Sequence, residues 1–344
     1  MSGILPEWPR SFGLPVGPAR YRQHPDHFQV EEQLGFEPEG DGEHWWLFIE
    51  KANLGTLEMA RRLGQLLDVE LKDIGYSGLK DRMALTRQWF SIWLPGRPLP
   101  TDPATLVESA GGRLLNAGRH RRKLKRGAHR ANRFYLRLEG ECVMTDAFDA
   151  RWEQLLDDGV PNYFGPQRFG VGGENLRRAR QVMDRGWRRR DDRQGMLLSS
   201  ARSFLFNEVL AERIDLGCWN QALEGDVFML EGSHSHFASD GLDERLRQRV
   251  ATLDIHPTGP LYGTGRSGTS QTAETLERDV LHRHESLAGG IERARAEAGR
   301  RALRVRVEAG RLLRDETGTW LGMTLPRGAF ATAVLRELID HPTL

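Results

Sequence analysis

The sequence of 344 residues is poor in cysteine, with only Cys142 and Cys218. Two thiols cannot supply a disulfide framework or a four-thiolate zinc site, so the composition favours a reduced compartment, and we expect the cytoplasm. Long apolar runs are also lacking, since no stretch reaches the ~18 apolar residues of a membrane span. The first residues lack the basic start and apolar run of a signal peptide. We therefore expect no membrane association.

A strong excess of charge is also absent, because the formal net charge is only +1. Five of the 49 basic residues are lysines, so the sequence is rich in arginine. The basic residues are unevenly placed, however, and a polyanionic partner responds to local charge rather than to the total. An almost neutral total does not exclude RNA.

The basic segment, which we define as RHRRKLKRGAHR at residues 119–130, is the strongest local feature. Seven Lys or Arg and two His lie within twelve residues, enough to neutralise several phosphates, although a solvated loop is the alternative. Because an amide and aromatic rings follow in ANRFYLRL, the order favours a site that holds RNA and stacks a base. The side chains that we expect to contact RNA here are Arg119, Arg121, Arg122, Lys123, Lys125 and Arg126.

A second basic set lies further along the chain and comprises Arg177, Arg178, Arg180, Arg185, Arg188, Arg189 and Arg190. This set predicts either another RNA-contacting surface or an arginine-rich helix that faces solvent. Both interpretations stay open.

The apolar periodicity predicts two domains. DHFQVEE and QWFSIWL have strand patterns, and residues 134–138 alternate like another strand. Thr56 is placed to cap a helix with apolar residues at helical spacing. The composition changes at about 158–306, and the last segment again has the strand and helix patterns of the first part of the chain. We therefore expect the middle segment to be inserted into the first domain.

A glycine-flanked loop carries the sequence GLKD, in which Asp81 follows Lys80. A carboxylate on a loop between rigid elements can act as a covalent nucleophile, although a solvated turn has the same appearance. A metabolite hydrolase that uses Asp81 would leave the basic segment unexplained. The histidine pairs at 234/236 and 282/284 have no cysteine at metal-ligand spacing, so we expect no metal.

Several segments in this order resemble the TruD family of tRNA pseudouridine synthases across nearly the whole chain. They are PDHFQVEE, SGLKDRMALTRQWFSI, ANRF, VPNYFGPQRFGVGGENL, SARSFLFNEVLAER and LPRGAFATAVLREL. The resemblance implies an α+β fold. A catalytic domain with a mixed, largely antiparallel sheet would comprise 1–157 and 307–344, and an inserted α/β domain would comprise 158–306.

The resemblance also implies roles for individual residues. Asp81 falls on the family's nucleophile, and Arg22 is the expected basic partner of that carboxylate, where some relatives have lysine. Phe28, Asn132, Phe134 and Phe330 fall on positions around the target base. Core packing is the alternative for Phe330, and a turn or capping role is the alternative for Asn132. Lys80 is expected to contact RNA. The family's usual target is uridine 13 of tRNA, and the family needs no cofactor or metal.

Neither the chemical route nor the class of function is decided by the residues alone. The carboxylate either forms a covalent bond to the sugar or base, or assists loss of the 2′-hydrogen of the ribose. A noncatalytic RNA-binding protein would have the same charge pattern, but the intact GLKD loop favours catalysis. We expect tRNA as the partner, no obligate protein partner and a monomeric chain.

Overall fold

The structure is a computed structural model that describes residues 5–188, 192, 195–239, 241–316 and 318–344. The chain divides into two compact units. The sheet unit comprises Ala19–Thr145 and Glu308–Gly328. The helical unit comprises the described parts of Met1–Pro18, Asp146–Val307 and Ala329–Leu344. Arg189 and Arg190 of the second basic set lie outside the described residues.

The strands of the described chain are β1 Gly17–Pro18, β2 Arg20–Tyr21, β3 Phe28–Gln33, β4 His44–Ala52, β5 Ile74–Tyr76, β6 Leu85–Trp93, β7 Arg113–His120, β8 Ala131–Glu139, β9 Val160–Pro161, β10 Val227–Leu230, β11 His236–Ala238, β12 Ile255–Leu261, β13 Gly299–Ala302, β14 Arg304–Val305, β15 Glu308–Asp315, β16 Gly318–Pro326 and β17 Ile339–Asp340.

The α-helices of the same residues are α1 Thr56–Leu67, α2 Pro103–Ser109, α3 Asp146–Asp158, α4 Glu174–Asp184, α5 Met196–Asp215, α6 Glu244–Ala251, α7 Gln271–His282, α8 Glu285–Arg293 and α9 Ala331–Leu338.

The sheet unit is built on strands in the order β15-β16-β8-β3-β6-β4-β7. β3 and β6 pair in parallel, whereas the other neighbours in this order are antiparallel. β2 adds to β8 and β5 adds to β6. This topology confirms the predicted mixed, largely antiparallel sheet.

The strand patterns of the sequence explain this sheet. β3 buries Phe28, Val30 and Glu32 and leaves the intervening residues partly exposed, as alternation predicts. β6 lies between β3 and β4 and is buried along most of its length, as the predicted strand with two covered faces requires. The buried polar residue in β3, Glu32, is the exception that marks the candidate site.

The start of α1 corrects one sequence prediction. The N-cap residue is Gly55, and no side chain caps the helix, so the prediction of Thr56 as the cap is wrong. The Thr56 hydroxyl instead accepts a hydrogen bond from the backbone N–H of Lys80 at 2.8 Å and donates to Gln88 Oε1 at 2.8 Å. The long-range partners of this hydroxyl replace the local capping bond.

The helical unit contains an antiparallel sheet of order β11-β10-β12-β13. Its core includes Phe204, Leu205 and Phe206 of α5, all buried. α3 packs against α9, and α9 packs against β9, which places these helices in the same unit. The predicted domain division at 157/158 and 306/307 differs from the boundaries of the two units and stays a prediction.

The basic segment is fixed to the sheet unit through its backbone. The N–H of Leu124 donates to Ser91 Oγ at 2.9 Å, and the N–H of Gly127 donates to the Ser77 carbonyl at 2.8 Å. Arg130 N–H donates to the Gln33 carbonyl at 2.8 Å. Since backbone bonds recur along it, the segment is an ordered part of the sheet unit rather than an unattached loop.

Ser77 and His129 form another buried attachment of the basic segment. The backbone N–H of His129 donates to Ser77 Oγ at 2.7 Å, and the same hydroxyl oxygen lies 2.6 Å from Nδ1 of the His129 ring. If the hydroxyl donates to Nδ1, the ring is neutral with its proton on Nε2. Burial, with the nearby charges of Lys80 and Arg327, lowers the pKa of His129 to about 4.

We predict that this histidine makes the protein less stable as the pH falls. Because the folded pKa of about 4 lies below the ordinary 6.5, only the unfolded chain takes up the proton between these values, so stability is lost as the pH falls through that window. His129→Asn keeps an acceptor near the Nδ1 position but cannot titrate. Urea unfolding between pH 7 and 4.5 should show a loss smaller by about 1–3 kcal/mol in this variant.

His24→Asn is the control for the loss of a histidine side chain, because His24 is exposed. If the free energy of unfolding depends on pH equally in the parental protein and in His129→Asn, the prediction is wrong, because protonation of His129 then does not destabilise the folded state.

Candidate active site

Asp81 lies on the segment between β5 and β6, which we call the GLKD loop (residues 78–81). Its side chain is 53% exposed, and its Oδ2 lies 2.6 Å from Nη2 of Arg22. The structure therefore brings together the carboxylate and the basic residue that the sequence paired. A charge-assisted hydrogen bond of this length fixes the direction of the carboxylate.

Arg22 is held in an unusual backbone conformation. Its φ of 61° lies in the left-handed region, which costs a non-glycine residue about 1–3 kcal/mol and is concentrated at functional sites. The guanidinium carbon lies 3.8 Å from the centroid of the Phe28 ring. One face of Phe28 thus supports the arginine that contacts Asp81.

The backbone of the GLKD loop is anchored on both sides of Leu79. The Thr56 hydroxyl accepts from the Lys80 N–H, and Gln88 Nε2 donates to the Gly78 carbonyl at 3.1 Å. Thr56 and Gln88 are buried and hydrogen-bonded to each other. Together they fix the path of the chain immediately before Asp81.

Lys80 points into the sheet unit and forms a buried ion pair. Its Nζ lies 3.0 Å from Glu32 Oε2 and 2.9 Å from Asn132 Oδ1, and the lysine side chain is 5% exposed. Glu32 also accepts from the Trp89 N–H at 3.2 Å. Burial raises the pKa of Glu32, and the nearby Lys80 opposes that change. This placement favours an anchoring role for Lys80 over the expected RNA contact.

Asn132 and Phe134 share one face of β8, because they are two residues apart. The Phe134 ring is buried and meets the Phe28 ring edge to face, with centroids 6.2 Å apart. Asn132 is partly exposed. The structure therefore links Asp81, Arg22, Phe28 and Phe134 through consecutive contacts, while the role of these residues at a target base stays a prediction.

Phe330 lies in the helical unit, at the residue before α9. It is partly buried against the core of that unit, and its ring centroid is 6.1 Å from that of Phe164. These contacts are those of a packing residue, the alternative that the sequence left open. A contact with the target base stays a prediction.

The cations of the basic segment differ in whether they have interaction partners within the protein. Arg121 forms hydrogen bonds to both carboxylate oxygens of Asp41, and Lys123 donates to the Lys72 carbonyl. Arg119 lies over the Trp45 ring, and Arg126 donates to the Tyr76 hydroxyl. Arg122 and Lys125 are exposed, and no acidic side chain within the described ranges pairs with either of them.

Lys51 is a buried charge that the sequence analysis missed. Its Nζ donates to the Leu54 carbonyl at 2.7 Å and to Thr86 Oγ1 at 2.8 Å. Burial lowers its pKa to about 8, with Lys80 as the next cause. Glu32, Thr56 and Gln88 were missed as well. A polar residue at an inward position of a strand was the available signal for Glu32, Lys51 and Gln88.

No group of three or more His, Cys, Asp or Glu side chains suited to a metal ion occurs within the described ranges. None of the helices in those ranges is long and apolar enough to cross a membrane. The expectation of a reaction without metal stays a prediction.

A family model and relatives with the same description match this chain over nearly its whole length. The family model described as tRNA pseudouridine synthase D (TruD) matches residues 16–187 and 190–338. The tRNA pseudouridine synthase D of Chromohalobacter salexigens is 50% identical over 340 residues, which cover 98% of each chain. That of Methylococcus capsulatus is 45% identical over 337 residues, covering 96% of this chain and 94% of the relative.

A solved structure from Methanosarcina mazei that carries the name tRNA pseudouridine synthase D has a TM-score of 0.68. It covers 96% of this chain and 95% of its own, and its 21% identity supports a shared fold alone. The α+β fold class expected from the sequence is thereby confirmed. With a family model that spans nearly the whole chain and relatives that are 45% and 50% identical to it, the protein belongs to the TruD family of tRNA pseudouridine synthases.

Proposed function

We propose that this chain isomerises uridine to pseudouridine in tRNA, with Asp81 as the nucleophile and uridine 13 as the target. Membership of the family supports the reaction. The observation that carries the assignment of Asp81 is its geometry: a half-exposed carboxylate, 2.6 Å from the Arg22 guanidinium, on a loop anchored by buried side chains. Position 13 rests on the resemblance to the family.

The reaction requires three changes at the target nucleotide. The N1–C1′ bond breaks, the detached uracil turns, and a C5–C1′ bond forms while C5 loses its proton and N1 gains one. A base within a stack cannot turn, so the nucleotide must first be flipped out. Asp81 then either bonds covalently to the sugar or base and later leaves, or assists loss of the 2′-hydrogen of the ribose. Arg22 orients the carboxylate in both routes.

Asn132 is suited to distinguish uracil from cytosine. Because its Oδ1 accepts from Lys80, the amide presents Nδ2, a donor, to other groups. Uracil offers carbonyl oxygens to such a donor, whereas cytosine has an amino group in place of the carbonyl at C4. Lys80 therefore acts in this proposal through the orientation of Asn132 and not through phosphate.

The exposed cations of the basic segment are the proposed phosphate contacts. Arg122 and Lys125 are the strongest candidates, because Arg121 and Lys123 already have partners. Backbone attachment of the segment would hold these charges in place before tRNA arrives, which lowers the cost of ordering them on binding.

We also propose the cytoplasm as the compartment and a monomer as the working state. The two cysteines of the sequence, Cys142 and Cys218, are too few for a disulfide framework, which supports a reducing compartment. The residues assigned to the reaction in the sheet unit come from one chain, so the proposal needs no second copy to supply them.

We predict that Asp81→Asn leaves tRNA binding nearly unchanged and reduces pseudouridine formation by at least about a thousandfold, because the amide keeps the shape but loses the nucleophile. Formation is measured in an unmodified tRNA transcript, with the modified position mapped. Asp68→Asn makes the same substitution at an exposed residue of the sheet unit and should retain parental activity. Turnover by Asp81→Asn at the parental rate would remove Asp81 from the mechanism.

We predict that Arg122→Gln combined with Lys125→Gln weakens tRNA binding and lowers the slope of log affinity against log salt by about 1–2, roughly one phosphate contact for each cation. The rate at saturating tRNA should change little. Arg61→Gln is the control, because Arg61 is an exposed cation of the sheet unit that pairs with Glu58. An unchanged slope in the double variant would place these two side chains away from the RNA.

A further inference from the structure

Two large apolar side chains flank Asp81 and are exposed to solvent. Leu79 is 63% exposed and Met83 is 62% exposed, each two residues from the carboxylate. Single exposed apolar residues are common on protein surfaces, but here two of them lie close in sequence to a candidate nucleophile, one on each side of it.

The anchors of the GLKD loop show that this exposure is part of its fixed conformation. Lys80 is held inward by Glu32 and Asn132, while the Lys80 N–H and the Gly78 carbonyl are bonded to Thr56 and Gln88. The side chains next to the inward lysine, Leu79 and Asp81, are both exposed. Because the bonded Gly78 carbonyl and Lys80 N–H lie on either side of Leu79, its backbone is held in place with the side chain exposed.

From these positions we propose that Leu79 and Met83 act as wedges that contact the bases flanking the target uridine and hold the uridine out of its stack. This inference rests on the proposed function. Two residues of extended chain span at most about 7 Å, whereas successive bases of a strand lie about 3.4 Å apart. When Asp81 reaches the target ribose, both side chains lie within about two base steps of it.

The charge near Leu79 and Met83 favours nucleic acid as the molecule that these two side chains contact. Apolar side chains such as Leu and Met insert between bases in proteins that open a stack. The basic segment, whose Gly127 and His129 are bonded to Ser77 immediately before the GLKD loop, supplies the charge that a polyanion requires. A second protein molecule would need no such charge beside the apolar pair.

The proposal is tested with the Leu79→Ala/Met83→Ala double variant on two transcripts. One is an ordinary unmodified tRNA, and in the other the nucleotides flanking the target uridine are abasic. We expect the double variant to react at least about tenfold more slowly than the parental protein on the ordinary tRNA, at saturating concentration in a single turnover. On the abasic transcript the two rates should agree within about threefold, since no flanking bases remain to be separated.

Two further variants separate a wedge from a structural role. Leu313→Ala removes an exposed leucine of β15, 66% exposed in the same unit, and should retain the parental rate on both transcripts. Leu79→Ile/Met83→Leu keeps the apolar volume and should restore most of the rate. An equal loss on both transcripts, or no loss on either, would overturn the proposal.

A fluorescence measurement tests whether Leu79 and Met83 act as wedges without requiring turnover. 2-Aminopurine placed next to the target uridine should brighten when the Asp81→Asn protein binds and unstacks it, and this signal should disappear when the two alanine substitutions are added. If the parental chain forms no pseudouridine but the signal behaves as expected, the proposed function fails while the wedge stands. Loss of the same brightening when Leu313→Ala is added to Asp81→Asn would overturn the wedge.

Discussion

The buried ion pair between Lys80 and Glu32 is the interaction on which the candidate active site depends. Removing two charges from water costs several kcal/mol for each ion, and their attraction offsets this cost only when the remaining hydrogen-bonding groups are satisfied. Asn132 and the Trp89 N–H supply such partners here. The pair therefore selects one conformation of the loop, because any other would leave a buried carboxylate without its cation.

The direction of Lys80 determines the surroundings of Asp81. The Lys80 side chain is turned inward, whereas the side chains next to it in the chain are exposed. Asp81 reaches solvent beside Arg22, and Leu79 is exposed on the other side of the lysine. A surface carboxylate on an unanchored loop would have many orientations. Here the position of the carboxylate is settled before substrate binds, which is the arrangement that efficient catalysis requires.

The sequence predicted what depends on local pattern. Alternation in β3 and β8 and the buried run in β6 were visible directly, and family resemblance paired Arg22 with Asp81. The role of Thr56 was not visible, because its partners Lys80 and Gln88 lie 24 and 32 residues away. Lys80 was expected at the surface for a related reason. Lysines are almost never fully buried unless paired, and its partner Glu32 lies 48 residues away on another strand.

Ser77 connects the two halves of the proposed RNA site within the sheet unit. Its carbonyl and hydroxyl hold Gly127 and His129 of the basic segment, and the next residue along the chain is Gly78 of the GLKD loop. The proposed phosphate contacts and the Asp81 carboxylate are therefore attached to the same short stretch of backbone. For a flipped uridine, the distance from its phosphates to its reacting carbon is limited by the nucleotide itself. A protein that fixes both contacts to one rigid element can match that distance without rearrangement on binding, so the binding energy gained at the phosphates remains available to hold the base out of its stack.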